Sequence, residues 1–372
     1  MNSLVDWELA RRIAHRVAER RPLPPNYDHR SMESDFEAHT AVAEELVVAQ
    51  TGLVSLDGPA QGRVTTRTGW IDANIKSFQR LLKPLADKFA EATGDSSASS
   101  DGVASSDSAS SSSSENKLST KVMQKFAALE VGAMLGWMST RVLGQYDLLV
   151  IENEEAPMDG MVYYVAPNIA ALEWRHGFPP DEFRLWIALH EVTHRAQFTG
   201  VAWLQEHFLS LLDQSLNSAD PKAFASAMKQ IAAARREGRN PFDEGGIAVL
   251  VASPEQREVL DQIMGMMSLL EGHGDVTMDR AGADHLSEIP RFRRVISHRR
   301  SQVGPLARLM RQIMGIEAKM NQYVAGERFI AAVEEAGGME FLDKAWEGPE
   351  CLPSMAEIRD PNLWITRVSA SS

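Results

Sequence analysis

The chain has one cysteine, Cys351, among 372 residues. That excludes a disulfide framework and any cysteine-rich zinc knuckle, so a metal centre here would have to be built from histidine and carboxylate. Basic residues are also scarce: 38 Lys and Arg stand against 51 Asp and Glu, a formal charge of −13. A nucleic-acid binder would show a basic face, and this balance argues against one. No run of about eighteen uncharged apolar residues occurs, so no membrane span is expected. The most apolar run, residues 126–137, is interrupted by Glu130 and rich in Ala, Gly and Met, as a buried core helix would be. The opening residues, MNSLVDWELARRIAHRVAERR, carry Asp6 and Glu8 and lack the apolar segment of a signal peptide. A cytoplasmic protein is the expectation.

Against these absences, 44% of the residues are hydrophobic, which is ordinary for a globular protein. The length suits one large core or two domains. The informative stretch is 181–200, DEFRLWIALHEVTHRAQFTG, which contains His190-Glu191-Val192-Thr193-His194, the H-E-x-x-H pattern. Residues four apart on a helix share a face, so both imidazoles can bind one Zn²⁺. Glu191 lies about 100° round the helix from His190, where it can reach a metal-activated water without being a ligand. The flanks predict the helix. Pro179 and Pro180 open it, Asp181 and Glu182 put negative charge in the first turn, and Gly200 ends it. Leu185, Trp186, Ile187, Ala188 and Leu189 precede His190, so the helix is expected to be central and largely buried. Burying two histidines and a glutamate without a partner is costly, and a metal resolves that cost.

Elsewhere the pattern predicts mostly helix. Residues 4–20 repeat Val5, Leu9, Ile13 and Val17 at helical spacing, and helices follow over 35–51 and 68–92, with Pro84 expected to kink or divide the third. The serine-rich stretch 94–116 predicts a disordered insertion. Residues 118–143 read as a long helix whose small residues suit close packing. Gly144-Gln145-Tyr146-Asp147 reads as a turn, followed by two short β runs, 148–151 and 161–165. Residues 162–165 are the candidate edge strand for pairing with an extended substrate. Helices are expected near 203–212 and over 222–235, then a polar loop over 237–246. Arg291, Arg293, Arg294, Arg299 and Arg300 read as a solvated loop or as salt-bridge partners for an acidic surface. Residues 306–320 predict a Met-rich core helix, and 329–346 continue the helical body. Pro353, Pro361 and Trp364 fit a tail that wraps the surface.

A second cluster completes the candidate site. Ser253-Pro254-Glu255-Gln256 reads as a helix start, with Ser as cap, Pro at the first helical position and Gln three residues after the cap. The helix runs through Leu260, Ile263, Met264, Met267 and Leu270 and closes on the acid-rich Glu271-Gly272-His273-Gly274-Asp275. A catalytic zinc takes three protein ligands and leaves the fourth position to water. Glu271 can be the third ligand. Asp275, four residues on, can accept from the second ring nitrogen of a zinc histidine and set its tautomer. Gly272 and Gly274 would let this helix approach the His190 helix. His273 competes as third ligand, but it lies on a different face from Glu271, and the Glu-x-x-x-Asp spacing accounts for both acids. Tyr323, His273 and His207 are candidates for oxyanion or substrate contacts, with Arg195 beside the second histidine.

His190-Glu191-x-x-His194 followed by Glu271-x-x-x-Asp275 resembles the gluzincin arrangement of thermolysin-like peptidases. More closely, the chain resembles the bacterial zincin-like metallopeptidase family, in the branch associated with biosynthesis of the deazaflavin coenzyme. The resemblance rests on Leu4-Val5-Asp6-Trp7, Leu135-Gly136-Trp137, VLGQYD over 142–147, HEVTHRAQF, SLLEGHGDVTMD, and Lys319-Met320-x-Gln322-Tyr323-x-x-Gly326-Glu327-Arg328-Phe329. It implies a mainly α, zincin-like fold with a small β element beside the H-E-x-x-H helix, and one bound Zn²⁺. The expected division is an N-terminal helical region over 1–93 packed on the main body, the insertion over 94–117, and a zincin-like catalytic region over 118–372. The expected function is hydrolysis of a peptide or amide substrate. His190, His194 and Glu271 hold the zinc, Glu191 is the general base, and Asp275 orients a histidine. The alternatives are a zinc-binding, non-catalytic partner protein linked to coenzyme biosynthesis and a small-molecule amidohydrolase. Neither nucleic acid nor membrane is expected as a partner.

Overall fold

The computed structural model describes residues 4–25, 27–84, 86, 88, 109–146, 161–218, 253–301 and 322–370. Its first elements are α1 (Trp7–Glu19), α2 (His29–Thr51), β1 (Gln61–Thr65), α3 (Arg67–Leu81), α4 (Ala109–Ser139), β2 (Gly144–Tyr146) and β3 (Met161–Val165). Then come α5 (Ala166–His176), α6 (Pro180–Gly200), α7 (Leu204–Asn217), α8 (Pro254–Ala281), α9 (Ile289–Ser301) and α10 (Gln322–Gly337). Three short helices close the chain: α11 (Met339–Asp343), α12 (Met355–Arg359) and α13 (Pro361–Ala370). The fold is mainly helical with one small sheet, as the sequence predicts. The β run at 148–151, the helices over 222–235 and 306–320 and the loop at 237–246 lie outside the described residues. So do residues 94–108 of the serine-rich stretch, while 109–116 form the first turns of α4.

The chain groups into two compact units, Met1–Pro24 with Thr65–Val142 and Pro25–Val64 with Leu143–Ser372. In the first, Asp6 caps α1 by accepting from the Leu9 N–H at 3.0 Å. The deepest residues of α1 are Ala10, Ala14 and Ala18. The larger Leu9, Ile13 and Val17, on which the helical spacing was read, are half-buried beside this seam. The reason is α4, whose Gly132 and Gly136 lie directly on it. A Cβ at Gly132 would stand 2.5 Å from the Ala10 carbonyl oxygen, and one at Gly136 would stand 2.7 Å from that of Ala14. The small residues of α4 thus serve the close packing that they predict. α3 ends at Leu81, just before Pro84, so the helix expected over 68–92 is divided there.

In the second unit, a three-stranded sheet of order β1-β3-β2 lies beside α6. β2 and β3 pair antiparallel, with Gly144 opposite Tyr164 and Tyr146 opposite Val162. Three readings are corrected here. The Gly144-Gln145-Tyr146 segment is a strand, not a turn. Residues 162–165 are central in the sheet, not an edge, because β1, which the sequence reading missed, pairs on the other side. Trp364 is fully buried in a core with Phe329, Ile330, Leu342 and Met355, so the C-terminal residues carry a packed helix rather than a surface wrap. A larger core joins Phe36, Val162, Tyr164, Phe183, Trp186 and Phe292. Its aromatic rings pack in edge-on, tilted and stacked pairs, including Phe178 against Phe292 at 4.9 Å and Phe36 against Tyr164 at 4.0 Å. α2 groups with this unit because Phe36, Ala43 and Val47 are buried in the same core as the α6 residues.

Candidate metal centre

The site is carried by α6 and α8. α6 begins with Pro180 at its first helical position and Asp181 and Glu182 in its first turn, and it ends at Gly200, the bounds that the flanks predict. It is buried nearly all round, so each polar side chain on it needs a partner. Thr193 and Thr199 donate to the carbonyls of Leu189 and Arg195, both at 2.7 Å. Arg195, 1% exposed, donates to Glu44 at 2.9 Å and to the Gly58 carbonyl at 2.6 Å. It ties α6 to α2 and the loop after it.

α8 starts at the Ser253 cap, whose hydroxyl accepts from the Gln256 N–H at 3.2 Å. It runs to Ala281, so Glu271 and Asp275 stand mid-helix rather than at its close. The two helices run antiparallel. Gln197 meets Leu270, His190 and His194 meet Glu271, and the Trp186 indole donates to Asp279 at 3.3 Å. Burial pushes the Asp279 carboxyl up, against the opposing pull of Arg293. Gly274 is the residue that permits the approach, since a Cβ there would be 3.2 Å from His194 Cε1. Gly272 does not share this role. It faces Gly326 of α10, with a would-be Cβ 2.5 Å from the Gly326 carbonyl carbon.

His190, His194 and Glu271 each offer a donor atom, and all three lie within 4.8 Å of one another. The two Nε2 atoms are 3.2 Å apart, and Glu271 Oε2 is 3.9 Å from His190 Nε2 and 3.8 Å from His194 Nε2. A tetrahedral ion with about 2.0–2.1 Å to each nitrogen spaces its donors about 3.3 Å apart. The histidine pair meets that spacing, and the carboxylate stands roughly half an ångström outside it. Two imidazoles and one carboxylate are also the donor set of a catalytic zinc, so the residues fit the metal. Side-chain exposures of 16% for His190, 14% for His194 and 23% for Glu271 leave the centre open to solvent on one side. Asp275, 5% exposed, sets a carboxylate oxygen 3.5 Å from His190 Nδ1. Glu191 is buried beside β2. A Cβ at Gly144 would fall 2.5–2.6 Å from its Cγ, Cδ and Oε1.

Two residues that the sequence reading missed complete the arrangement. Gly144 leaves the space that the Glu191 side chain fills. Gln197, fully buried, meets His194 Nδ1 with Oε1 at 3.0 Å, while its Nε2 donates to the Leu270 carbonyl at 3.0 Å and meets His273 Nδ1 at 2.9 Å. The available signal was a glutamine three residues after the second histidine, hence on the same helix face. His273 is thereby drawn into the helix interface, edge-on to Trp346 at 5.3 Å, and is not one of the three grouped donors. Burial first, and the nearby His194 second, pull its pKa down to about 4. His207 lies elsewhere, in a cleft of about 530 Å³ with Gln262, Leu352 and Arg367, and the structure does not bring it to the grouped donors. Tyr323 is on α10, and its side chain lies outside the described residues. In the basic cluster on α9, Arg293 pairs with Asp279 and with Glu327, and Arg291 pairs with Glu288.

A family model for zincin-like metallopeptidases matches residues 5–365. The chain is also similar to a crystal structure from Chloroflexus aurantiacus described as a candidate hydrolase with a novel fold. The identity is 29%, the TM-score is 0.68, and the match covers 98% of this chain and 99% of that one. Among curated proteins nothing matches. None of the described helices is long and apolar enough to cross a membrane.

Proposed function

The chain belongs to the zincin-like metallopeptidase family, and from that premise we propose that it is a zinc-dependent hydrolase of peptide or amide bonds. The observation that carries this reading is the convergence of His190, His194 and Glu271, with Glu191 next in the chain to the first donor. These three residues would hold one Zn²⁺. When bound, the ion supplies Lewis acidity, polarising a carbonyl and acidifying water. Glu191 accepts the proton of the attacking water and returns it to the leaving amine. Its place against the backbone of β2 limits the conformations that the carboxylate can take. Asp275, 3.5 Å from His190 Nδ1, would hold the proton there on closing to hydrogen-bonding distance, leaving the Nε2 lone pair toward the centre.

An extended substrate would pair with β2, which takes the role that the sequence suggested for 162–165. Among the described residues β2 is the outer strand next to Glu191, so a strand added there would pass the general base. The branch linked to the deazaflavin coenzyme and a cytoplasmic location belong to the same proposal.

The test is metal analysis of the wild type beside His190→Ala and Glu271→Ala, with a proteome-wide cleavage screen against Glu191→Gln. One zinc per chain, lost in both alanine variants, and cleavages that vanish in Glu191→Gln are expected. A metal-free wild type, or identical cleavage patterns with Glu191→Gln, would overturn the reading.

A further inference from the structure

We infer that Gln197 is a positioning residue for the metal centre: its amide, oriented by the Leu270 carbonyl, holds the proton of His194 on Nδ1 and so leaves Nε2 bare toward His190 and Glu271. The inference rests on the zinc reading above for its purpose, but not for its geometry.

A glutamine amide has one accepting and one donating end, and which is which has to come from its partners. Here one partner is decisive. The Leu270 carbonyl can only accept, so the atom 3.0 Å from it must be the NH₂ group. That nitrogen has two hydrogens, and the second points to His273 Nδ1 at 2.9 Å. His273 is buried, and its Nδ1 is placed to accept that hydrogen. The remaining end, Oε1, faces His194 Nδ1 at 3.0 Å and can only accept. His194 must therefore donate from Nδ1, and its Nε2 carries the lone pair. A histidine in water divides its proton between the two nitrogens. Gln197, itself fully buried, removes that choice.

The same amide makes the metal centre conditional on helix pairing. The group that sets the His194 tautomer is on α6, but the acceptor that orients it is the backbone of α8, at the residue just before Glu271. The helix that supplies the third donor thus also prepares the second. The buried bonds also explain why a polar residue stands at a fully enclosed position of α6, where an apolar one would pack at less cost.

Two variants separate positioning from mere structure. Gln197→Met removes every polar contact of the amide. Gln197→Glu loses the donor to Leu270 but keeps an oxygen that accepts from His194. The full chain is titrated with Zn²⁺ alone against a competing chelator, and ¹⁵N shifts of the histidine rings are recorded on the metal-free protein. In the wild type the His194 proton should sit on Nδ1. Gln197→Met should bind zinc about 10–100-fold more weakly, with the proton moved to Nε2. Gln197→Glu should keep the Nδ1 proton and hold zinc within about tenfold of the wild type. A wild-type proton on Nε2, or equal zinc affinities for the wild type and Gln197→Met, overturns the inference. So does a Gln197→Glu variant as weak as Gln197→Met. If Gln197→Met does not fold, the wild-type ring shifts and the Gln197→Glu affinity still decide. If the wild type takes up no zinc, the functional reading fails, and the ring shifts alone decide the role of Gln197.

Discussion

The α1–α4 and α6–α8 pairs both approach closely, and they do so for different reasons. Between α1 and α4, glycine and alanine let backbone meet backbone, with Ile13 and Val17 closing on the same glycines. Between α6 and α8, Gly274 makes room for two imidazole rings, and Glu271, Asp275, Gln197, His273 and Asp279 set polar groups among apolar contacts such as Phe198 with Met266 and Leu270. A small residue on a helix therefore signals close approach in both places. It signals a site only where the space it frees is taken by donors that need a partner. The first pair illustrates dispersion and shape. The second accepts the cost of buried polar groups, and the metal reading says what offsets that cost.

The largest expected effect is on the polar pair. Glu191→Gln should lower turnover by about 10²–10⁴-fold while zinc content and unfolding temperature stay near those of the wild type. Loss of zinc in that variant would mean that Glu191 helps to hold the metal, and the division of roles would be wrong. Gly144→Ala should displace the Glu191 carboxylate without touching the donors. A loss of about 100-fold in turnover with full zinc occupancy is expected, and unchanged turnover would show that the carboxylate has room to spare.

The apolar pair should answer in stability alone. Gly132→Leu forces a side chain into the Ala10 carbonyl and should destabilise by about 1–3 kcal/mol in denaturant unfolding, with zinc affinity unmoved. A change in zinc affinity would break the contrast between the two regions.

The smallest effect is one of pH and touches neither pair. Burial pushes the Glu357 carboxyl up, but the Arg367 guanidinium and the Ser354 N–H outweigh it and hold the carboxyl below its usual value. A depressed folded-state value stabilises above the ordinary carboxylate range and is lost as pH falls through it. The gap in melting temperature between the wild type and Glu357→Gln should therefore be present at neutral pH and close below about pH 4. A gap independent of pH would show that packing, not charge, is what Glu357 supplies.

Much of the site was legible because it is written in helical spacing. The His190–His194 and Glu271–Asp275 pairs are both four residues apart, and the Ser253 cap declared the start of the second helix. The misreadings share one cause. β1 and β2 are three to five residues long and carry no period-2 pattern strong enough to read, so a strand at Gly144–Tyr146 passed for a turn. Their pairing with β3 is a contact across the chain, invisible in any local window. Trp364 was misjudged for the same reason, since only Phe329 and Phe341 packed against it reveal that it is core.

By itself the sequence determined what the α6 helix offers: two imidazoles on one face, a carboxylate beside them, and an apolar body that must be buried. Chain-local geometry suffices for that, because the period of a helix is the same wherever it lies. Beyond Glu271 and Asp275, the groups that meet those residues were decided by the tertiary structure alone. The approach of α8 brings the Leu270 carbonyl to Gln197, and the place of β2 sets a glycine against Glu191. Such contacts depend on which helix and which strand come to lie beside α6, and no spacing along one element records that.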